Sequence, residues 1–336
     1  MNKVTIKDIA KLAGVTPATV SLVINGKNGI AEDTRKKILE IVKQTNYVPS
    51  RNSRRLFFKK SFNISIVIKR ISSPFDDLFY FEITKGILEN VSEYGYNLVF
   101  TDMDIMGGSG QFPSVIQQND TDGVIFYQSV DSVIIESLNN NNIPFVVTDC
   151  HKMNANMTCV NADYKKSAYT ATKYLIENGH RDIAYMSSGA MTDYYISTFS
   201  GFKKAMGESS ISIPANWIQA QAPDENSIHA CMDDILYGGP SHPSAVFCSA
   251  DRFAISAMNY VQEKGFEVPG DISFIGIDDI ILSQYVRPRL TTVKIDKLDM
   301  GRIAIELLMK KINGEPVESV IVGSDNLIVR ESVSAK

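Results

Sequence analysis

The sequence predicts a small three-helix unit at the N-terminus, followed by a larger α/β body of two doubly wound parallel sheets. Three observations predict it. Residues 1–60 carry 13 basic and 4 acidic side chains, a net of +9, whereas the 336-residue chain sums to −4, so the remainder carries −13. Up to about residue 60 apolar side chains recur at helical spacing. Beyond it, short β-branched or aromatic runs alternate with helical stretches at roughly thirty-residue intervals, the length of a βαβ unit.

Composition excludes several classes. With 44% apolar and 9% aromatic residues the chain is globular, neither disordered nor collagen-like. No run approaches the ~18 apolar residues of a membrane helix, so no membrane partner is expected. The charged start, Met1-Asn2-Lys3-Val4-Thr5-Ile6-Lys7-Asp8, lacks the apolar stretch of a signal peptide, which predicts a cytoplasmic protein. Cys150, Cys159, Cys231 and Cys248 lack Cys-x-x-Cys spacing and read as buried free thiols. His151, His180, His229 and His242 show no metal spacing, and Gly107-Gly108-Ser109-Gly110 lacks the Gly-Lys-Ser/Thr of a phosphate loop. No nucleophile elbow or paired-acid motif appears, so neither a metal, a cofactor nor an enzymatic activity is expected.

In the first unit Ile6, Ile9, Ala10 and Ala13 form one helical stripe. Thr5 with Asp8 resembles a capping box, and Gly14 is placed to end the helix in a left-handed turn. Thr16 then offers an N-cap hydroxyl and Pro17 suits the first helical position, so a second helix runs to about Asn25-Gly26. On it Val20, Val23 and Ile24 share a face, while Pro17, Ala18, Ser21, Leu22 and Asn25 point elsewhere. A third helix, from Glu32 to about Thr45, brings Ile38, Ile41, Val42 and then Tyr47 to close the core. Two short helices with a tight turn, the second presenting small side chains, have the shape of a helix-turn-helix. Any small helical bundle gives such stripes. The +9 charge favours the DNA-binding reading, because Lys and Arg on phosphates supply nearly all non-specific DNA affinity.

In the body the apolar runs are Ile64–Ile68, Leu98–Phe100, Gly123–Phe126 and Phe145–Thr148, then Ile183–Met186, Ala245–Cys248 and Ser273–Ile277. Ile83, Ile87, Leu88 and Val91 place a helix between the first two. Near-continuous apolar strands alternating with helices indicate parallel sheets buried on both faces.

The segments Thr5 to Ser21, Val23-Ile24-Asn25-Gly26, Thr34-Arg35 and Asn46-Tyr47-Val48-Pro49 resemble the DNA-binding domain of the lactose/galactose repressor family. Body landmarks in family order include Ser73-Pro74-Phe75, Ile143-Pro144-Phe145-Val146-Val147-Thr148-Asp149, Gly179-His180-Arg181, Val268-Pro269-Gly270-Asp271 and Gly276-Ile277-Asp278-Asp279. The body is also similar to periplasmic sugar-binding proteins. The resemblance covers essentially the whole chain. It implies a helix-turn-helix domain over 1–49 and a hinge, helical on DNA, over 50–61. An N-subdomain of 62–161 plus 292–323 and a C-subdomain of 162–291 plus 324–336 follow, with three crossovers and an effector cleft between them.

That resemblance implies a repressor that binds a near-palindromic, double-stranded DNA operator as a homodimer and answers to a small-molecule effector, a sugar or related metabolite. DNA contacts would come from Thr5, Thr16, Pro17, Ala18, Thr19, Ser21, Leu22, Asn25 and Tyr47, and from Ser50, Arg51, Ser53, Arg54 and Leu56 in the hinge, with Leu56 as a minor-groove wedge. Effector contacts would come from Ser73, Phe75, Tyr127, Asp149, Tyr164, Thr198, Ala250, Asp251, Asp278 and Ile295.

The chain departs from the family pattern at several of these positions. Leu22 stands where many members place arginine or histidine; base contact through a thymine methyl and packing on the first helix are both open to it. Ser53 replaces the usual alanine, a better helix former. In the cleft, Thr198 replaces an arginine, Ala250-Asp251 an Asn-Asp pair, Tyr164 an asparagine and Ile295 a polar residue. Donors are lost and apolar area is gained, which points away from a typical sugar and toward a smaller or more amine-like ligand. Asp149 and Asp278 are equally able to cap turns. Two other roles stay open: regulation by a protein co-regulator instead of a metabolite, and a solute-binding protein, which residues 1–60 disfavour. Only four residues follow Arg330-Glu331-Ser332, so no C-terminal tetramerisation helix is expected.

Overall fold

The computed structural model describes residues 4–24, 26–47, 55, 58–68, 74–102, 114–118, 120–153, 156–189, 192–222 and 224–336. They form two units, Met1–Phe62 and Asn63–Lys336. Asn25, Ser50, Arg51, Ser53, Arg54, Leu56 and Ser73, singled out above, lie outside the described residues.

The first unit contains α1 (Ile6–Ala13), α2 (Pro17–Ile24) and α3 (Glu32–Gln44). The Thr5 hydroxyl accepts from the Asp8 amide at 3.4 Å, while Asp8 accepts from the Thr5 amide at 2.9 Å, which completes a capping box. Gly14 ends α1 at φ 73°, a left-handed conformation that a Cβ would disfavour. The chain is then free to restart at once: Thr16 Oγ1 accepts from the Thr19 amide at 3.2 Å, with Pro17 at the first position of α2. Ile9, Ala10, Ala13, Val20, Val23, Ile38 and Tyr47 form the core, with Ile24, Ile41 and Val42 packed against it.

The second unit holds β1 (Asn63–Ile68), α4 (Leu78–Val91), β2 (Asn97–Asp102), α5 (Ser114–Gln117), β3 (Gly123–Tyr127), α6 (Ser132–Asn140), β4 (Phe145–Thr148) and β5 (Cys159–Ala162). It continues with α7 (Tyr164–Glu177), β6 (Ile183–Met186), α8 (Asp193–Glu208), β7 (Ile218–Gln219), α9 (Glu225–Tyr237), β8 (Ala245–Cys248), α10 (Asp251–Glu263) and β9 (Ser273–Asp278). Last come β10 (Thr291–Lys294), α11 (Lys297–Ile312), β11 (Val320–Val322) and β12 (Asn326–Ile328). One six-stranded sheet has the order β11-β5-β4-β3-β1-β2, the other β12-β10-β9-β8-β6-β7. Every pairing is parallel except β10 with β12.

Strands β3, β4, β6, β8 and β9 are buried at every position, which is why they read as unbroken apolar runs and not as alternation. The described residues of the body include two apolar clusters. One is centred on Val124, Phe126, Leu138 and Phe145, the other on Met232, Val246, Phe253 and Phe274. Among the described residues the chain passes between the sheets after β5, after β10 and after β11. The boundary expected at residues 291/292 falls inside β10, whose Thr291, Thr292 and Val293 are fully buried against β9. The chain leaves the second sheet only after Lys294. Helices α4 and α11 approach closely at glycines: a Cβ on Gly86 would lie 2.2 Å from the Leu298 carbonyl oxygen, and one on Gly301 2.2 Å from that of Ile83.

Candidate DNA-reading helix and effector cleft

On α2, Val20 and Val23 are buried in the three-helix core. The opposite surface presents Thr16, Pro17 and Ala18 exposed, with Thr19, Ser21 and Leu22 half-buried. These are small side chains, so the backbone of the helix can come close to a surface it meets. Leu22 is not among the side chains packed against the core, so the outward role is the one its surroundings leave open. Thr5 is exposed with its hydroxyl committed to the α1 cap. Tyr47 is 8% exposed and sits in the core.

In the body, a cavity of about 260 Å³ opens where strands of both sheets end. Its walls are made by residues that follow strands and by the first turns of helices, the usual position of ligand sites in open α/β sheets. Gln128 follows β3, Asp149 and His151 follow β4, and Asp278 closes β9; Gln128, Asp149 and Asp278 have φ of 64°, 54° and 123°. Positive φ in non-glycine residues is sparsely populated and concentrates at binding sites. Here it turns the chain off the strands and into the cavity. The first turns of α4, α7, α8 and α10 contribute Phe79 and Tyr80, Tyr164, Tyr194, and Arg252 and Phe253.

Asp149 is 3% exposed and already hydrogen-bonded. Tyr164 Oη donates to its Oδ1; Tyr80 Oη donates to Oδ2 at 2.6 Å, and His151 Nε2 lies 3.1 Å from the same oxygen. Burial of the His151 ring opposes its charged form. The Asp149 carboxylate, its hydrogen bond and the Cys150 and Asp193 charges outweigh that, so the His151 pKa rises above the ordinary value. Burial, and then the Asp149 charge, push the Tyr80 and Tyr164 phenols well up, which keeps both as proton donors. His151 also stacks on Tyr194 at 4.9 Å, its carbonyl accepts from the Asp193 amide at 3.0 Å, and Asp193 accepts from the Met153 amide at 2.9 Å. These contacts join the two halves across the cleft mouth.

Asp278 is 8% exposed, and burial together with the Asp251 charge raises its pKa well above the carboxylate range. Behind it Asp251, fully buried, accepts from Ser283 Oγ, Thr292 Oγ1 and the Ile280 amide. Burial pushes the Asp251 pKa up to about 6 against these hydrogen bonds. The buried Lys297 ammonium donates to the Asp278 backbone carbonyl and lies 3.5 Å from Glu82 of α4. It thereby fastens β9 to the helix pair of the other half.

Of the expected effector contacts, the cavity brings together Asp149, Tyr164, Ala250 and Asp278. Phe75 is 70% exposed and leans on Phe100 at 5.3 Å, away from the cavity. Tyr127 lies beneath the wall, its hydroxyl 2.6 Å from Thr84. Thr198 is fully buried and bonds Tyr185 at 2.7 Å; Asp251 serves the scaffold just described, and Ile295 is core. Tyr80, Gln128, His151, Tyr194 and Arg252 were missed. Position directly after strands β3 and β4 marks Gln128 and His151, while nothing in local sequence marks the tyrosines.

A helix-turn-helix unit joined to a two-sheet body with a cleft at its strand ends defines a class of regulators that couple a DNA-reading part to a sensor-type body. The model for "Bacterial regulatory proteins, lacI family" matches residues 5–50, and that for "Periplasmic binding protein-like domain" matches 172–333. The HTH-type transcriptional repressor PurR of Histophilus somni is 33% identical over 341 residues, covering 98% of each chain. Catabolite control protein A of Priestia megaterium is 32% identical over 328 residues, covering 95% of this chain and 96% of its own. Among solved structures, a transcriptional regulator CelR–cellobiose complex aligns with a TM-score of 0.71 at 26% identity, over 98% of this chain and 100% of that one. The Lac repressor dimer bound to operator and the anti-inducer ONPF shares the fold, with a TM-score of 0.81 at 22% identity over 99% and 100%. The chain belongs to the lacI family of bacterial regulatory proteins.

Proposed function

We propose that this protein represses transcription by binding a near-palindromic operator as a homodimer, and that a small molecule in the cleft of its body controls that binding. The observation that carries the reading is α2. Its small, outward Thr16, Pro17, Ala18 and Ser21 lie opposite a buried apolar face, in a segment of net charge +9. Residues 50–61 are the hinge, with Leu56 wedging the central minor groove. The subdomains meet at a cleft whose occupancy shifts the hinge pair between two arrangements. Relatives support this: PurR carries the name of a transcriptional repressor, and the CelR structure is a complex with cellobiose.

The test is fluorescence anisotropy with duplexes selected from random DNA. Affinity is expected to fall steeply and log-linearly with salt, with selected sites showing dyad symmetry. A flat salt response or asymmetric sites would refute the DNA-reading role. A cleft ligand is then sought by thermal shift, where binding to the folded state alone raises the midpoint.

A further inference from the structure

The cleft presents an unusual balance of charges and hydrogen-bonding groups. We infer that its ligand is a small organic cation whose ammonium group pairs with the Asp278 carboxylate; this rests on the reading of the cleft as a small-molecule site.

Four observations carry it. First, Asp278 is more than nine-tenths buried and faces the cavity, yet among the described residues no protein group donates a hydrogen bond to its carboxylate. The Lys297 ammonium behind it is committed to backbone carbonyls and to Glu82. Burial and the Asp251 charge favour its neutral form, and a cation entering the cavity favours the ionised carboxylate and pairs with it.

Second, the neighbouring acids have partners of their own. Asp149 has His151, and Asp77 accepts from the Phe79 amide at 2.9 Å, while the Arg252 guanidinium is exposed and laid over the Phe253 ring at 4.4 Å. Asp279, one residue on, is paired with Arg330 at 2.5 Å. Asp251 accepts from the Ser283 and Thr292 hydroxyls and adds a like charge behind Asp278.

Third, the phenol donors are already committed. The Tyr80 and Tyr164 hydroxyls donate to Asp149, and Tyr194 donates to the Ser249 carbonyl at 2.6 Å. What these phenols leave for a ligand is acceptor lone pairs and ring faces, and cations are attracted to such faces. A carboxylate or phosphate would find its donor at the Arg252 guanidinium, where the Asp77 carboxyl stands close by. The helix N-termini do not supply a vacant anion site either, because Asp77 and Asp163 cap α4 and α7 while Asp193 and Asp251 lie in the first turns of α8 and α10. Fourth, at about 260 Å³ the cavity falls below the ~300–1,000 Å³ of sites for drug-sized ligands, so the cation is small.

Two size-matched series test this on the full-length protein by thermal shift and titration calorimetry: glucosamine, glucose and glucuronate, and putrescine, butanediol and succinate. The ammonium member of at least one series is expected to bind at least tenfold more tightly than its neutral and anionic counterparts. Asp278→Asn is expected to erase that preference. A neutral or carboxylate member binding as tightly overturns the cation assignment and leaves the small-molecule reading standing. Six flat responses also overturn it, and a broad metabolite screen on the same preparation then decides whether the small-molecule reading falls too. Should Asp278→Asn fail to fold, the ranking within each series on the unaltered protein decides alone.

Discussion

Replacing Gly301 by alanine tests the joint that positions one wall of the cleft. The new Cβ would meet the Ile83 carbonyl oxygen at 2.2 Å, the Ile87 amide nitrogen at 2.8 Å and the Gly86 carbonyl carbon at 3.0 Å. All three are backbone atoms, so no side-chain rotation relieves them, and α4 and α11 must separate by about 1 Å to restore ordinary contact. Overpacking of this kind costs ~1–3 kcal/mol, offset by ~0.5–1 kcal/mol of helix propensity gained. A net loss of about 1 kcal/mol is expected. Gly207, in α8, is the control: an added Cβ there meets nothing within 4 Å, so Gly207→Ala gains ~0.5–1 kcal/mol. Urea unfolding followed by the emission of Trp217, the chain's single tryptophan and buried in the second half of the body, measures both. The two variants should differ by ~1–3 kcal/mol, or roughly 2–12 °C in midpoint. Equal stabilities would refute the close approach. Because the first turn of α4 carries Phe79 and Tyr80 and α11 begins with Lys297, the same substitution should also weaken whatever ligand the cleft takes.

Three further outcomes follow from the site. The His151 proton resonance should titrate above the ordinary imidazole value, and in Asp149→Asn below it, since burial then dominates; a midpoint unmoved by the substitution contradicts the pairing. With its folded pKa raised, His151 contributes stability that is fully present below the unfolded value near 6.5 and lost as pH climbs through the folded one, so the Asp149→Asn deficit should shrink at high pH. Asp251 runs the other way for a carboxylate: its folded pKa of about 6 exceeds 3.8, so stability falls as pH rises between those values, a slope that Asp251→Asn should lack in paired unfolding curves. Leu22→Arg should change the preferred outer half-site base pair from A·T to G·C in a binding selection, and an unchanged preference would place Leu22 away from the bases.

How much of this was legible before the fold was known depends on how local the cause is. The capping box at Thr5, the left-handed Gly14 and the Thr16-Pro17 start are set by neighbouring residues, and each stands where its chemistry puts it. The central strands were legible because burial on both faces demands apolar side chains throughout. Strand β10 is not among the apolar runs of the sequence, and the boundary that the resemblance implies at 291/292 divides it. Its polar Thr291 and Thr292 belong inside because Arg330 donates its amide to one hydroxyl and the other donates to Asp251, partners distant in sequence.

The cleft was the least legible part, and Thr198 shows why. Its loss of an arginine read as a change in ligand chemistry, but in the fold its hydroxyl bonds Tyr185 and the Tyr194 carbonyl at 3.0 Å, inside the aromatic packing of α8 on β6. Ile295 is likewise core. Those departures therefore changed what the scaffold is made of more than what the cavity offers. What the cavity offers instead follows from Tyr80, Tyr164 and His151 converging on Asp149, three donors from three elements that no sequence window contains. Once they saturate that carboxylate, Asp278 is left as an acid to which no group among the described residues donates, and the chemistry of an occupant is set by the hydrogen bonds the protein has already made as much as by the residues lining the wall.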